Sequence, residues 1–129
     1  MIDTVEKPCV LVAEDNHVMG NVLKFNFERA GFETHLAHDG RVAIEMLQER
    51  CFDLVITDYQ MPFATGEDVC RSVRALEQMK DIPVVLVSAK GMELDNEKLI
   101  GPDHFTEVVN KPFSPLEIVK IATDILQSV

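Results

Sequence analysis

Residues 53–62 read DLVITDYQMP, in which the apolar run Leu54-Val55-Ile56 is followed two positions later by a carboxylate, Asp58. A continuous apolar run of this length is typical of a parallel strand that helices cover on both faces. Two other segments have the same character, Val10-Leu11-Val12 and residues 84–87. We therefore predict that these three strands form the middle of a sheet.

Five short apolar runs alternate with longer stretches in which apolar residues recur at every third or fourth position. The runs cover residues 9–13, 34–37, 53–57, 83–88 and 108–109. This alternation predicts a (βα)5 three-layer α/β sandwich around a parallel sheet. The second run contains polar residues and the fifth is very short, so we place both at the edges. Right-handed crossovers then favour the strand order 2-1-3-4-5.

The ends of two predicted helices carry clear signals. Gly31 ends the first helix, and Ser114-Pro115-Leu116-Glu117 is a capping box that begins the last one. Of the two aromatic residues in the first helix, we expect Phe25 in the core and Phe27 on the surface. The apolar face of this helix comprises Met19, Leu23 and Ala30.

Composition limits the range of functions. The 129 residues include 12 Lys and Arg against 22 Asp and Glu, for a net charge of −10. Phosphate groups of nucleic acids and anionic membranes would repel such a chain, so we expect it to bind neither directly. Its length suits a single domain over residues 1–129, with a core from about residue 7. With three widely spaced cysteines and no secretory signal, we expect reduced thiols and a cytoplasmic location.

Acidic residues follow two neighbouring strands of the predicted sheet. Glu14 and Asp15 come after the first strand and Asp58 after the third, on either side of the point where the strand order reverses. Two carboxylates about 4 Å apart repel each other by roughly 4 kcal/mol at an effective dielectric constant of about 20. They must therefore share a proton or hold a cation. Oxygen ligands of this kind suit Mg²⁺.

Two further polar groups are predicted at the same edge. The fourth strand ends in Ser88, and the fifth leads into Lys111. A bound cation, a hydroxyl donor and a fixed positive charge are what a tetrahedral dianion requires. Because Asp58 stands alone on the central strand, we assign it as the acceptor of a phosphoryl group, with the metal screening charge repulsion.

As an ordered set, these residues resemble the receiver domain of two-component response regulators, the chemotaxis regulators included, which have a flavodoxin-like fold. The resemblance covers residues 7–129. The segments that carry it are VLVAEDN at residues 10–16, DLVITDYQMP at 53–62 with Gly66, Ser88-Ala89, and Lys111-Pro112-Phe113.

The resemblance implies that a histidine kinase or a histidine phosphotransfer protein phosphorylates Asp58. Asp15, Asp58 and the backbone carbonyl of Gln60 would then bind Mg²⁺, and Glu14 would assist through water. The phosphorylated domain would switch its interactions with a downstream effector domain or protein. Such a domain is not an enzyme, because it catalyses only its own phosphorylation and dephosphorylation.

The resemblance also implies roles for the two groups at the far side of the site. Ser88 would form a hydrogen bond to the phosphoryl group, and Lys111 would pair with one of its oxygens. A cis peptide bond before Pro112 would direct the ammonium group inward.

The sequence departs from the family pattern at three places. The switch position three residues before the lysine, usually aromatic, is Val108. Gly101-Pro102 limits the helix before the fifth strand to residues 93–100. Ala64-Thr65 replaces a usual Met-Asp pair, although Thr65 can still cap a helix.

Three other functions fit the sequence less well. A phosphatase of the haloacid dehalogenase type needs an acid two residues after the nucleophile, where Gln60 stands. A flavodoxin-like nucleotide binder needs a hydroxyl- or glycine-rich loop after the first strand, where Glu14 and Asp15 would repel phosphate. A degenerate receiver that serves only for docking is suggested by Val108 and the short helix.

Overall fold

The computed structural model describes residues 7–88, 99–101 and 103–127, which contain five strands and four helices. The strands are β1 (Cys9–Ala13), β2 (Glu33–Ala37), β3 (Leu54–Asp58), β4 (Val84–Ser88) and β5 (Glu107–Asn110). The helices are α1 (His17–Arg29), α2 (Gly40–Glu49), α3 (Gly66–Ala75) and α4 (Pro115–Gln127). No helix in these ranges is long and apolar enough to span a lipid bilayer.

All five strands are parallel and lie in the order β2-β1-β3-β4-β5, as predicted. β1, β3 and β4 are central, and β3 and β4 are buried along their whole length. In the strand register Ala13 lies beside Thr57, and Asp58 beside Val87. The residues that follow β1 and β3 therefore lie at the same edge of the sheet.

Helices cover both faces of the sheet, which confirms the three-layer architecture. On one face α2 and α3 contribute Ala43, Leu47, Val69 and Val73 to the core. On the other face α1 and α4 contribute Leu23, Phe27, Ile118 and Ala122. Each central strand thus buries apolar side chains on both faces, which explains why its sequence is a continuous apolar run.

The prediction for the two aromatic residues of α1 is wrong. Phe27 is fully buried and contacts the ring of Phe32 edge-on at 5.0 Å between centroids, whereas Phe25 is 58% exposed. Phe27 lies four residues after Leu23 and therefore on the same face of the helix, whereas Phe25 lies on the opposite face. Ala30 is also exposed, because it lies at the end of the helix.

The predicted helix ends are confirmed. Gly31 follows Ala30, the C-cap residue of α1, and adopts a φ of +97°, which favours glycine. The Ser114 hydroxyl accepts from the backbone N–H of Glu117, and the Glu117 carboxylate accepts from the N–H of Ser114. Thr65 caps α3 through a capping box with Asp68.

Two of the three departures from the family pattern lie near β5. Val108 is half-buried and packs against the core between the sheet and the α2–α3 layer. Of the predicted helix over residues 93–100, residues 93–98 lie outside the described residues. Ile100 forms an isolated bridge with Phe105.

Gly66 allows α3 to begin directly against the end of β3. A Cβ atom at this position would lie 2.4 Å from the backbone oxygen of Asp58 and 3.0 Å from Cδ1 of Leu86. We expect Gly66→Ala to lower the free energy of unfolding by about 1–3 kcal/mol, because backbone must move to accommodate the methyl group.

Urea unfolding measures this effect, and Gly101→Ala is the matched control. A Cβ atom at Gly101 has no atom within 4 Å among the described residues, so little change is expected. Equal destabilisation by the two substitutions would contradict the close approach of α3 to Asp58.

Candidate functional site

The three acidic residues predicted to converge do so at the carboxyl ends of β1 and β3. Carboxylate oxygens of Glu14, Asp15 and Asp58 lie within 4.8 Å of one another. Glu14 is 2% exposed and Asp58 is 9% exposed, whereas Asp15 is open to solvent. The cluster is thus partly buried but accessible from one side.

Backbone N–H groups position the two buried carboxylates. The N–H of Asn16 donates to Oε2 of Glu14 at 3.1 Å, and the N–H of Tyr59 donates to Oδ1 of Asp58 at 2.9 Å. Both donors belong to the turns that leave the strands. The turn after each strand therefore fixes the carboxylate that precedes it.

The pKa of Glu14 is raised to about 7, and burial is the largest cause. The hydrogen bond from Asn16 lowers this pKa, the negative charge of Asp58 raises it, and the positive charge of Lys111 lowers it. Near neutral pH and without a cation, Glu14 is therefore partly protonated, as expected where like charges share a low-dielectric site.

Lys111, which follows the edge strand β5, contacts the acidic cluster. Its Nζ lies 3.2 Å from Oδ2 of Asp58 and 3.8 Å from Oε1 of Glu14. The backbone N–H of Lys111 donates to the carbonyl of Ser88 at 2.7 Å, and the peptide bond to Pro112 is cis, as predicted. Lys111 is thus placed between two carboxylates from different strands.

Ser88 is buried at the end of β4, and its hydroxyl donates to Oδ1 of Asn110 at 2.9 Å. Asn110 lies beside Ser88 in the register of β4 and β5. Asn110 is not among the site residues predicted from the sequence. Its signal there is a polar residue at the end of an edge strand, one position before Lys111. Gln60 lies exposed in the loop after β3.

The donor atoms at this edge fit a hard divalent cation. Glu14, Asp15 and Asp58 supply only carboxylate oxygens. Mg²⁺ takes oxygen ligands at about 2.0–2.1 Å and keeps several waters, which the exposed side of the cluster can provide. Opposite ligands of such an ion are about 4.2 Å apart, comparable with the spread of the carboxylate oxygens.

The raised pKa of Glu14 makes the stability of the metal-free chain depend on pH. Its pKa is raised in the folded state, so the folded chain binds more protons than the unfolded chain between pH 4.5 and about 7. The stability that Glu14 contributes is therefore present below pH 4.5 and is lost as the pH rises towards 7. One pKa unit corresponds to about 1.4 kcal/mol, so a decrease of a few kcal/mol is the upper limit.

Urea unfolding in a chelator, at several pH values, tests this dependence. Glu14→Gln should unfold with a flatter pH profile over the same range, because the glutamine side chain does not titrate. An unchanged profile in the variant would contradict the assignment of the pH dependence to Glu14.

Comparison with known proteins finds one family over most of the chain. The sequence model described as the response regulator receiver domain matches residues 10–123. Many solved structures have the same fold, and three of them illustrate the similarity.

The chemotaxis response regulator CheY4 of Vibrio cholerae is 26% identical, with a TM-score of 0.83 over 93% of this chain and 99% of that one. A Francisella response regulator receiver domain is 29% identical, with a TM-score of 0.77 over 93% of this chain and 96% of that one. The receiver domain of a Pseudomonas aeruginosa sensor histidine kinase is 24% identical, with a TM-score of 0.79 over 92% of this chain and 97% of that one. That structure has a magnesium ion coordinated in its active site cleft.

Proposed function

The chain belongs to the family of response regulator receiver domains, and on that premise we propose that it is a phospho-accepting switch in which Asp58 receives the phosphoryl group. One observation carries the proposal: carboxylate oxygens of Asp58, Glu14 and Asp15 lie within 4.8 Å of one another, and the ammonium group of Lys111 lies 3.2 Å from Asp58. This arrangement can hold a cation and an anion side by side.

The oxygen atoms at the carboxyl ends of β1 and β3 would hold Mg²⁺ during the reaction. We assign Asp15, Asp58 and the backbone carbonyl of Gln60 as ligands, with Glu14 acting through a bound water. When bound, the ion reduces the charge repulsion between the attacking carboxylate and the incoming phosphoryl group. Glu14 must give up its proton to contribute full charge, so cation binding and deprotonation of Glu14 are coupled.

The reaction is a transfer from a phosphohistidine to a carboxylate. An oxygen of Asp58 attacks phosphorus, the phosphorus–nitrogen bond of the donor breaks, and an acyl phosphate forms on Asp58. Lys111 then pairs with an oxygen of the bound phosphoryl group in place of the free carboxylate. The hydrogen bond from its backbone N–H to the Ser88 carbonyl holds the backbone in position for this contact.

Ser88 is the group that can report the phosphorylated state to the edge of the sheet. Its hydroxyl now donates to Asn110, one position before Lys111. A hydrogen bond from Ser88 to the phosphoryl group would replace this contact and release the Asn110 side chain on β5. Phosphorylation would thus change the edge strand without help from an aromatic residue at Val108.

We propose a histidine kinase or a histidine phosphotransfer protein as the donor and an effector domain or protein as the recipient of the signal. The net charge of −10 argues against direct binding to nucleic acid. We further propose that the domain acts in the cytoplasm and catalyses no reaction on external substrates. The complete set of acids, hydroxyl and lysine favours phosphorylation over a role in docking alone.

Intact-mass measurement tests the function. We expect incubation of the native chain with Mg²⁺ and acetyl phosphate to add the mass of one phosphoryl group. Chelation of the metal should prevent the addition. No added mass with Mg²⁺, or the same addition with a chelator present, would contradict the proposal.

A further inference from the structure

A second group of side chains of the types that ligate metal ions lies near the other end of β1. Cys9 begins β1, Glu33 begins β2, and His35 follows on β2 two positions later. Because Cys9 pairs with Glu33 in the parallel register, the three side chains project from the same face of the sheet. One sulfur, one oxygen and one nitrogen from these residues lie within 4.8 Å of one another.

The sulfur–oxygen separation matches that of a tetrahedral metal site, and the nitrogen–oxygen separation is shorter. Sγ of Cys9 is 3.5 Å from Oε2 of Glu33, and Nε2 of His35 is 2.7 Å from the same oxygen. Zinc bonds of about 2.3 Å to sulfur and 2.0 Å to oxygen place those two ligands about 3.5 Å apart. The nitrogen and oxygen would be about 3.3 Å apart, so His35 would move by roughly 0.6 Å.

We propose that Cys9, Glu33 and His35 form a binding site for a divalent cation of the zinc class, with water as the fourth ligand. A mixed set of sulfur, nitrogen and oxygen donors favours Zn²⁺ over Mg²⁺, which requires oxygen. The site is separate from the phosphoryl site, because the length of β1 lies between Cys9 and Glu14.

Neighbouring residues hold two of the three ligands in position. The ring of His35 packs edge-on against Phe52, with 5.6 Å between the ring centroids. The backbone N–H of Cys9 donates to Oδ2 of Asp53 at 2.7 Å. Contacts of this kind restrict the orientation of metal ligands and strengthen binding.

Without a metal ion, Arg50 supplies the positive charge beside Glu33. NH2 of Arg50 lies 2.9 Å from Oε2 of Glu33, the oxygen that also contacts Cys9 and His35. The two side chains are 46% and 49% exposed, and an ion pair so open to solvent contributes little stability. An incoming cation can therefore displace Arg50 from this oxygen.

Cation binding must also release the thiol proton of Cys9. Burial, the hydrogen bond to Glu33 and the negative charge of Glu33 together raise the pKa of Cys9 to about 11. The thiol is therefore protonated in the metal-free chain. When the cation binds, a metal–sulfur bond replaces the S–H bond and one proton passes to the buffer.

Cobalt titration of the freshly reduced chain, in excess Mg²⁺, tests the site. We expect one equivalent of Co²⁺ to produce a sulfur-to-cobalt charge-transfer band that Zn²⁺ removes by competition. Cys9→Ser should lack the band, whereas Cys51→Ser should retain it, because Cys51 is an exposed thiol outside the group. No band in the native chain, or an undiminished band in Cys9→Ser, would overturn the proposal.

Three further variants make the test specific. His35→Gln should weaken binding at least about tenfold, and Arg50→Gln should strengthen it severalfold by removing the competing cation. Weaker binding in Arg50→Gln, or unchanged binding in His35→Gln, would also overturn the proposal. Asp58→Asn should bind Co²⁺ with a sulfur band like the native chain, so the outcome is independent of whether Asp58 accepts phosphate.

Discussion

Asp58→Asn is expected to take up no phosphoryl group from acetyl phosphate in the presence of Mg²⁺. The amide has nearly the shape of the carboxylate, but it carries no negative charge and is a poor nucleophile. The substitution also removes one anionic ligand from the proposed cation site. We therefore expect uptake to fall to background, which intact-mass measurement of the native chain and the variant detects directly.

Asp81→Asn is the matched control for this substitution. Asp81 is exposed and precedes β4, at the edge of the sheet opposite the acidic cluster. It should be phosphorylated like the native chain. Uptake that persists in Asp58→Asn, or that is lost in Asp81→Asn, would place the acceptor elsewhere.

Phe27→Ala is expected to lower the free energy of unfolding by about 3–5 kcal/mol. The side chain of Phe27 is fully buried between α1 and the sheet, and its ring contacts Phe32. Its removal leaves a cavity that the neighbouring helices cannot fill completely. Urea unfolding monitored by circular dichroism measures the loss.

Phe25→Ala is the matched control, with the same change of side chain on the opposite face of α1. Phe25 is 58% exposed, and the guanidinium carbon of Arg29 lies 5.6 Å from its ring centroid. Loss of such an exposed contact costs about 0.5–1 kcal/mol. A loss in Phe25→Ala as large as that in Phe27→Ala would contradict the packing of α1.

The two aromatic residues also show how far the sequence determines this helix. Met19 and Leu23 lie on the apolar face, and the next position on that face is Phe27. The helical spacing of the apolar residues therefore predicts that Phe27 is buried. The prediction failed because each phenylalanine was considered alone rather than by its angle from Leu23.

Strand order was predictable because strands buried on both faces have continuous apolar sequences. The three central strands are continuous apolar runs, and the broken second run is an edge strand. The predicted bounds of β3 were wrong by one residue. The strand begins at Leu54 and includes Asp58, one residue later than predicted at each end. Asp53 and Asp58 are both acidic, so polarity alone does not show which of them continues the strand.

Convergence of the acidic residues could be predicted because all three lie at or just after the carboxyl ends of strands whose order was predicted. The hydrogen bond between Ser88 and Asn110 could not be predicted from the sequence, because it depends on the register between β4 and β5. The proximity of Cys9 to His35 likewise depends on the register between β1 and β2. Residues so far apart in the chain have no spacing motif that would reveal either contact.

The central claim is that strands distant in sequence bring carboxylates to one edge of the sheet, where a cation can neutralise them while Asp58 carries a phosphoryl group. A crystal structure of the native chain grown with Mg²⁺ and beryllofluoride tests it most directly. We predict one ion at about 2.1 Å from oxygens of Asp15, Asp58 and the Gln60 carbonyl. Beryllofluoride should be bonded to Asp58 and contacted by Lys111. An ion bound elsewhere, or an unmodified Asp58 with Lys111 turned to solvent, would contradict the claim.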